Sequence, residues 1–174
     1  MAAVMQTALV SLLPILAMVA ALTDLTSYTI PNWLSLTLAG AFAALAATTG
    51  MPLPTVGVHV AMAFAALVAG MAMFAFGWIG GGDAKLLSAC CLWFGWPGGR
   101  EFMLDTALAG GAFSVLLLVA RGQTARLFLL PLQTGWFGRL TAKGEPAPYG
   151  VAIALGALIA FPSSEWLRLL HTSY

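Results

Sequence analysis

Long apolar stretches separated by short polar breaks dominate the chain. The breaks contain Pro, Gly and charged residues, which end or interrupt helices. They leave six apolar stretches, at about 3–22, 33–49, 55–78, 84–96, 102–120 and 149–161. Because a membrane-spanning helix needs about 20 mostly apolar residues, the pattern predicts an all-α, polytopic integral membrane protein. We expect about six transmembrane helices, of which the fourth and the sixth are short for a span.

The composition agrees with this interpretation. Of the 174 residues, 61% are hydrophobic and only 7% are charged, whereas soluble domains carry about 25% charged residues. The net charge of +1 and the absence of long Lys/Arg runs exclude an ordinary nucleic-acid-binding protein. We expect one membrane-embedded domain over residues 1–174, with no separate soluble domain. Residues 1–22 are expected to remain as the first helix, since no basic segment precedes them.

The basic residues predict an orientation. If six spans alternate, five of the seven basic residues fall on one side of the bilayer: Lys85, Arg121, Arg126, Arg139 and Lys143. Arg100 and Arg168 fall on the other side. Because Lys and Arg collect on the cytoplasmic side, both termini are predicted to be periplasmic, and the long polar connection 121–147 to be cytoplasmic. Its apolar part 127–132 and the pair Trp136 and Phe137 are predicted to lie in the membrane interface.

Neither the cysteines nor the histidines predict a metal or redox site. Cys90 and Cys91 are adjacent within an apolar run, which indicates small residues facing lipid or the core. His59 is expected to be packed or solvated, and His171 to be inert in the tail. The chain has no zinc-ligand spacing, so we expect no metal and no cofactor.

Two of the six acidic residues lack an ordinary positional explanation. Four lie in polar segments or at a helix start, where a negative charge favours the helix dipole: Glu101, Asp105, Glu145 and Glu165. Asp24 and Asp83 instead each lie at the predicted cytoplasmic end of an apolar span. Ionisable residues at membrane depth are candidates for function, and these two could meet within the helical bundle.

A pair of close carboxylates has a defined chemistry. Two such groups tend to share one proton, so the ionised member can activate a water while the protonated member polarises a carbonyl. This chemistry hydrolyses a peptide bond without a metal. Taken singly, Asp24 could close a helix and Asp83 could be an N-cap. The glycines 80–82 could also present exposed backbone to an extended, strand-like substrate.

Four short motifs, in this order and spacing, resemble those of the type IV prepilin peptidases, which are bacterial inner-membrane aspartic proteases. The motifs are Asp24 after the first span, Ile30-Pro31-Asn32, the GxGD sequence Gly80-Gly81-Gly82-Asp83 followed by Lys85, and Pro148-Tyr149-Gly150. The resemblance covers about 20–155 and implies that Asp24 and Asp83 are the catalytic pair. It also implies that the other motif residues bind substrate or shape the site: Pro31, Asn32, Gly80, Gly81, Gly82, Lys85, Pro148, Tyr149 and Gly150.

The resemblance further implies a substrate and partners. The substrate would be a prepilin or pseudopilin, whose short basic leader is cut off at the cytoplasmic face of the inner membrane, in association with a pilus assembly machinery. Larger members of the family carry an N-terminal insert with CxxC motifs and also methylate the new N-terminus. The chain has no CxxC. It therefore resembles the short type that serves Flp (tight-adherence) pili, and we expect no N-methyltransferase activity.

Other functions remain open from the residues alone. A small ion- or proton-coupled transporter could use Asp24 and Asp83, although we see no inverted repeat of the kind transporters show. A non-catalytic scaffold of a secretion machine is a further alternative. A presenilin-like protease shares GxGD but has tyrosine before its first aspartate, where this chain has Thr23. Lys85 is expected to reach lipid phosphates. Pro148-Tyr149-Gly150 could simply start a helix, or Tyr149 could pack beside the aspartate pair.

Overall fold

The protein is all-α over the residues described by its computed structural model, 2–122, 135–142 and 144–172, as predicted. Side chains are described for residues 4–168 of these ranges. The elements are α1 (Ala2–Ser27), α2 (Asn32–Thr49), α3 (Leu53–Ala75), α4 (Gly81–Ala120), α5 (Gly135–Leu140), α6 (Tyr149–Ala160) and α7 (Glu165–Thr172). A short 3-10 turn, Phe161–Ser163, joins the last two.

Helix α1 extends five residues beyond the predicted end of the first span. The hydroxyls of Thr23, Thr26 and Ser27 donate to backbone carbonyls three or four residues earlier in the helix. Their polar groups are therefore satisfied without leaving the helix. The helix ends only before Tyr28, whose φ of 54° is left-handed. Asp24 consequently lies inside α1, one turn before its end.

Helix α4 is interrupted at Gly95 and Trp96, where the backbone leaves helical geometry. Gly95 has φ 57° and ψ −147°, a region that is essentially restricted to glycine. The two halves, 81–94 and 97–120, fold back on each other: the rings of Phe94 and Phe102 stack with centroids 5.0 Å apart, and Leu87 and Gly111, one from each half, line the same cavity. The predicted boundary between the fourth and fifth stretches is therefore a helical hairpin turn.

Among the described residues, four helices are long and apolar enough to cross a bilayer: Val4–Ser27, Leu53–Ala75, Gly81–Ala120 and Tyr149–Arg168. At 1.5 Å per residue, the two halves of α4 rise about 21 and 36 Å, so the second half alone matches a bilayer core of about 30 Å. The remaining predicted stretch, 33–49, corresponds to α2. The number of six crossings and the periplasmic termini stay predictions.

The bundle has two chemically different ends. We call one the aspartate end, because it contains Asp24, Asp83 and the start of α6. We call the other the aromatic end, because the rings of Phe42, Trp93 and Trp166 pack there with His59.

The charged residues that the structure describes divide between these ends. Lys85, Arg121 and Arg139 lie at the aspartate end, where they contact Asn32, the segment 140–146 and Thr26 respectively. Arg168 lines a pocket with Glu101 and Glu165 at the aromatic end, and Arg100 lies over the Trp96 ring at the turn of α4. Arg126, Lys143, the segment 127–132 and the side chain of His171 lie outside the described residues.

Helix α4 packs its first half into the core of the bundle. Cys90 and Cys91 on this half are completely buried and free, so they face the core and not the bundle surface. Gly70 of α3 lies against Ala84, where an added Cβ would come within 2.9 Å of the alanine Cβ. The close contact between α3 and Ala84 positions the first turn of α4, which bears Asp83, against α3.

Candidate active site

Asp24 and Asp83 meet at the first turn of α6, although they lie on different helices. The Gly150 N–H donates to Oδ2 of Asp24 at 2.7 Å and also interacts electrostatically with the Asp83 carboxylate. The two carboxylates are close enough for coulombic repulsion between them. Both side chains are buried, with exposed fractions of 5% and 7%. The structure therefore brings together the two acids that the sequence selected.

Asp83 lies at the third position of α4 and not at its N-cap. The N-cap is Gly80, whose extended backbone (φ −75°, ψ 153°) places its N–H 2.9 Å from Oδ2 of Asp83. This is the acidic half of a capping box. Oδ1 of Asp83 is buried and accepts no hydrogen bond from the described residues. One carboxylate oxygen thus stabilises the helix, and the other is left for another partner.

The three glycines before Asp83 do not share one backbone conformation. Gly81 and Gly82 have helical backbone in the first turn of α4, and Gly80 is extended. Gly82 also permits close packing. A Cβ at Gly82 would lie 3.0 Å from Cβ of Ile30, so glycine lets the start of α4 approach the connection between α1 and α2.

Gly150 allows a second close approach. A Cβ at this position would lie 2.8 Å from both Oδ2 of Asp24 and Cδ1 of Ile30. Pro148 is the buried N-cap of α6, with φ −72° and ψ 95°. The helix therefore starts directly against Asp24, where its unpaired N–H groups favour a negative charge.

The segment Ile30-Pro31-Asn32 connects the site to α2. Pro31 is the N-cap of α2, with φ −62° and ψ 138°, and Asn32 is its first residue. The exposed Lys85 donates from Nζ to Oδ1 of Asn32 at 2.9 Å, which ties the start of α4 to the start of α2. Ile30, which was not predicted as a site residue, packs against both Gly82 and Gly150.

A largely apolar cavity of about 470 Å³ adjoins Asp83. Asp83 and Tyr149 both line it, as do residues from the end of α3 and from both halves of α4. Tyr149 and Asp83 therefore border the same space. Sequence inspection gave no signal for the cavity, because its walls come from four separate segments.

Arg139, Thr26 and Tyr28 form a contact cluster at the aspartate end that was not predicted. Nη2 of Arg139 donates to the Thr26 carbonyl at 2.6 Å, and its guanidinium lies 5.9 Å from the centre of the Tyr28 ring. Burial raises the pKa of the Tyr28 hydroxyl, with the nearby Glu145 carboxylate adding to the effect. The cluster connects α5 to the end of α1, one turn beyond Asp24.

The buried histidine has a structural role away from the aspartates. His59 is 3% exposed at the aromatic end, and its Nδ1 lies 2.7 Å from the Leu92 carbonyl, so it is packed and not solvated. Within the described ranges, no group of three or more His, Cys, Asp or Glu side chains could hold a metal ion.

A protein-family comparison agrees with the motif order. The model of the type IV leader peptidase family matches residues 11–115, which is more than half of the chain. The matched region includes Asp24, Ile30-Pro31-Asn32 and the GxGD sequence, and it ends before Pro148. No curated relative and no solved structure matches the chain.

Proposed function

The chain belongs to the type IV leader peptidase family, and from this premise we propose that it cleaves the short basic leader from a prepilin or pseudopilin. The observation that carries the proposal is the pairing of Asp24 and Asp83 at the Gly150 amide. Family membership favours a peptidase over a transporter or a scaffold. Two neighbouring carboxyl groups of this kind can catalyse a direct attack by water on a peptide bond.

The proposed mechanism uses the aspartates as one unit. Backbone N–H groups of Gly150 and Gly80 each hold one oxygen, Oδ2 of Asp24 and Oδ2 of Asp83. Because the pair shares a proton, its ionised member takes a proton from the attacking water. Its protonated member polarises the scissile carbonyl and then gives its proton to the leaving amine. After one cleavage the two members have exchanged protonation states, so the titration belongs to both residues together.

We further propose that the aspartate end faces the cytoplasm. The described basic residues of this end, Lys85, Arg121 and Arg139, support this orientation through the positive-inside rule. A cysteine placed at the exposed position Thr26 should react with a membrane-impermeant reagent only after the cytoplasmic face is opened. Labelling from the periplasmic side of intact cells would contradict the orientation.

We also propose that the enzyme serves Flp-type pilins in the bacterial inner membrane and does not methylate its product. The support is the absence of CxxC motifs from the sequence. Mass spectrometry of the mature pilin, after incubation of enzyme and prepilin with a methyl donor, should show a free, unmethylated N-terminus. A mass increase of one methyl group would contradict this part of the proposal.

Substitution of each aspartate tests the activity. Asp24→Asn and Asp83→Asn should each lower kcat/KM for cleavage of a prepilin by at least about 1,000-fold, since members of a catalytic unit are individually essential. Asp105→Asn is the matched control, because this acid lies elsewhere on α4 and should keep activity within about threefold. Substantial cleavage by either dyad variant, or loss of activity in all three variants, would refute the proposal.

A further inference from the structure

Arg121 ties together two segments at the aspartate end. It is the C-cap of α4, and its guanidinium donates to the Leu140 carbonyl from Nε and Nη2, at 3.1 and 3.0 Å. The same group donates from Nη1 to the Glu145 carbonyl at 2.8 Å and from Nη2 to the Pro146 carbonyl at 3.3 Å. An arginine offers five N–H donors in one plane. One side chain therefore fixes both the end of α5 and the segment that leads to α6.

The segment 145–147, directly before the N-cap of α6, depends on these bonds. It has neither helical nor strand structure, and within the described residues its backbone forms no hydrogen bond with other backbone groups. Both described bonds to its carbonyls come from Arg121. Because the rings of Pro146 and Pro148 restrict φ, the direction that the chain takes at 145 and 146 is carried on to the start of α6.

The contact with Asp24 lies a short way along the chain from this segment. Gly150 follows Pro146 by four residues, and its N–H donates to Oδ2 of Asp24 at 2.7 Å. A Cβ at Gly150 would lie 2.8 Å from the same oxygen, so a small shift at the start of α6 would change the contact. Arg139 of α5 holds the other side, because it donates to the carbonyl of Thr26 near the end of α1. Helix α5 is therefore tied to both partners of the contact.

We propose that Arg121 is a positioning residue for the reaction, and that its bonds to the segment 145–146 set where the Gly150 N–H meets Asp24. The inference rests on the proposed peptidase function of Asp24 and Asp83. The described hydrogen bonds of Arg121 all end on backbone carbonyls, so it acts on the aspartates through Gly150 and takes no part in bond cleavage. The region matched by the family model ends at residue 115, before this arginine.

The first experiment keeps the charge and removes the planar donor group. A lysine ammonium is a compact point charge and cannot hold three carbonyls in one plane, so Arg121→Lys should release the segment 145–146. Misplacement of a catalytic group by about 1 Å can cost about 100-fold in rate. We expect Arg121→Lys to lower kcat for prepilin cleavage by about 10- to 100-fold and to change KM by less than about threefold. Arg100→Lys is the matched control, because Arg100 lies over Trp96 at the turn of α4, and it should keep kcat within about threefold.

The second experiment observes the contact directly and needs no substrate. In NMR spectra of the protein in detergent, prepared with isotope-labelled glycine, the amide signal of Gly150 is identified by its absence from Gly150→Ala. Asp24→Asn should move this signal, because the acceptor of the hydrogen bond changes. Arg121→Lys should move the same signal, and Arg100→Lys should leave it in place.

A milder variant keeps the test decisive if Arg121→Lys does not fold. Pro146→Gly keeps the carbonyl that Arg121 holds but removes the ring that restricts the chain, and Pro146 is exposed. It should move the Gly150 signal and lower kcat by about three- to tenfold. An unmoved Gly150 signal in folded Pro146→Gly overturns the proposal.

The two readouts separate the positioning role from the proposed function. A wild type that cleaves prepilin, with Arg121→Lys keeping its kcat and its Gly150 signal, overturns the role of Arg121 alone. A loss of kcat with an unmoved Gly150 signal also overturns it, because Arg121 would then act elsewhere, and so does a rise in KM at constant kcat. A wild type that cleaves no prepilin, with a moved Gly150 signal in Arg121→Lys, supports the positioning role and refutes the peptidase function.

Discussion

The two ends of the bundle bury polar groups in opposite ways. At the aromatic end, the ring nitrogens of His59, Trp93 and Trp166 each pair with a backbone carbonyl, at 2.7, 2.9 and 2.7 Å. At the aspartate end, Asp24 and Asp83 are held by glycine N–H groups, and Oδ1 of Asp83 has no partner among the described residues.

This difference separates a structural from a functional use of burial. A satisfied polar group within packed rings stabilises one arrangement of the helices. A buried carboxylate oxygen without a partner costs stability, which agrees with the proposed catalytic role of Asp83. We therefore expect substitutions at the aromatic end to lower stability, and substitutions at the aspartate end to lower activity.

Removal of a central ring should have the largest effect on stability. Trp93 is 1% exposed, contacts the rings of Phe42 and Trp166, and donates to the Leu38 carbonyl. Trp93→Ala should lower the free energy of unfolding by about 3–5 kcal/mol through the cavity that it leaves. Thermal unfolding in detergent measures this loss, and the folded fraction should keep its specific activity within about threefold.

Trp33→Ala is the matched control for this change. Trp33 is helical but 52% exposed on α2, so its removal should change stability by less than about 1 kcal/mol. Equal stability losses in Trp33→Ala and Trp93→Ala would refute the structural assignment of the aromatic end.

A single methyl group at the aspartate end should lower activity. In Gly150→Ala the new Cβ would lie 2.8 Å from Oδ2 of Asp24, so the carboxylate or α6 must move. A displacement of about 1 Å in a catalytic group can cost about 100-fold in rate, and we expect a loss of this size in prepilin cleavage. Gly57→Ala is the control, because a Cβ there meets nothing within 4 Å. Equal activity of the two variants would show that the Gly150 contact does not position Asp24.

The smallest effect is predicted for the buried histidine. His59→Leu keeps an apolar side chain beside Phe42 but removes the donor to the Leu92 carbonyl. We expect the free energy of unfolding to fall by about 1–2 kcal/mol and kcat to stay within about threefold. A folded variant that loses more than tenfold in kcat would place His59 in the catalytic machinery and end the division between the two ends.

Much of the fold was predictable because membrane helices follow local rules. The apolar stretches and their Gly and Pro breaks correctly predicted helices at all six positions, including the boundary that became the turn at Gly95. The end of α1 was wrong by five residues, since the polarity of Thr23 and Thr26 was mistaken for a helix end. Their hydroxyls bond within the helix, a contact that residue polarity does not reveal.

The candidate site was predictable only as far as its motifs extend. Asp24 and Asp83 were selected because charged residues are rare in this chain and because the motif order resembles a peptidase family. Arg139 carried no such signal, and its bond to the Thr26 carbonyl depends on α5 returning to the end of α1. Lys85 was expected to reach lipid, but its ammonium bonds to Asn32, which the linear spacing of the two residues does not show.

Local sequence is sufficient to indicate a helical membrane protein and to single out two acids as candidates for its chemistry. Both inferences follow from composition and local pattern, since lipid admits few charges and few backbone forms. The construction of the candidate site, in contrast, follows from the tertiary structure alone. The contact between Gly150 and Asp24 spans 126 positions of the chain, and the cavity beside Asp83 has walls from four segments. Such contacts depend on how the helices pack, and no local pattern encodes the distance between two helix ends.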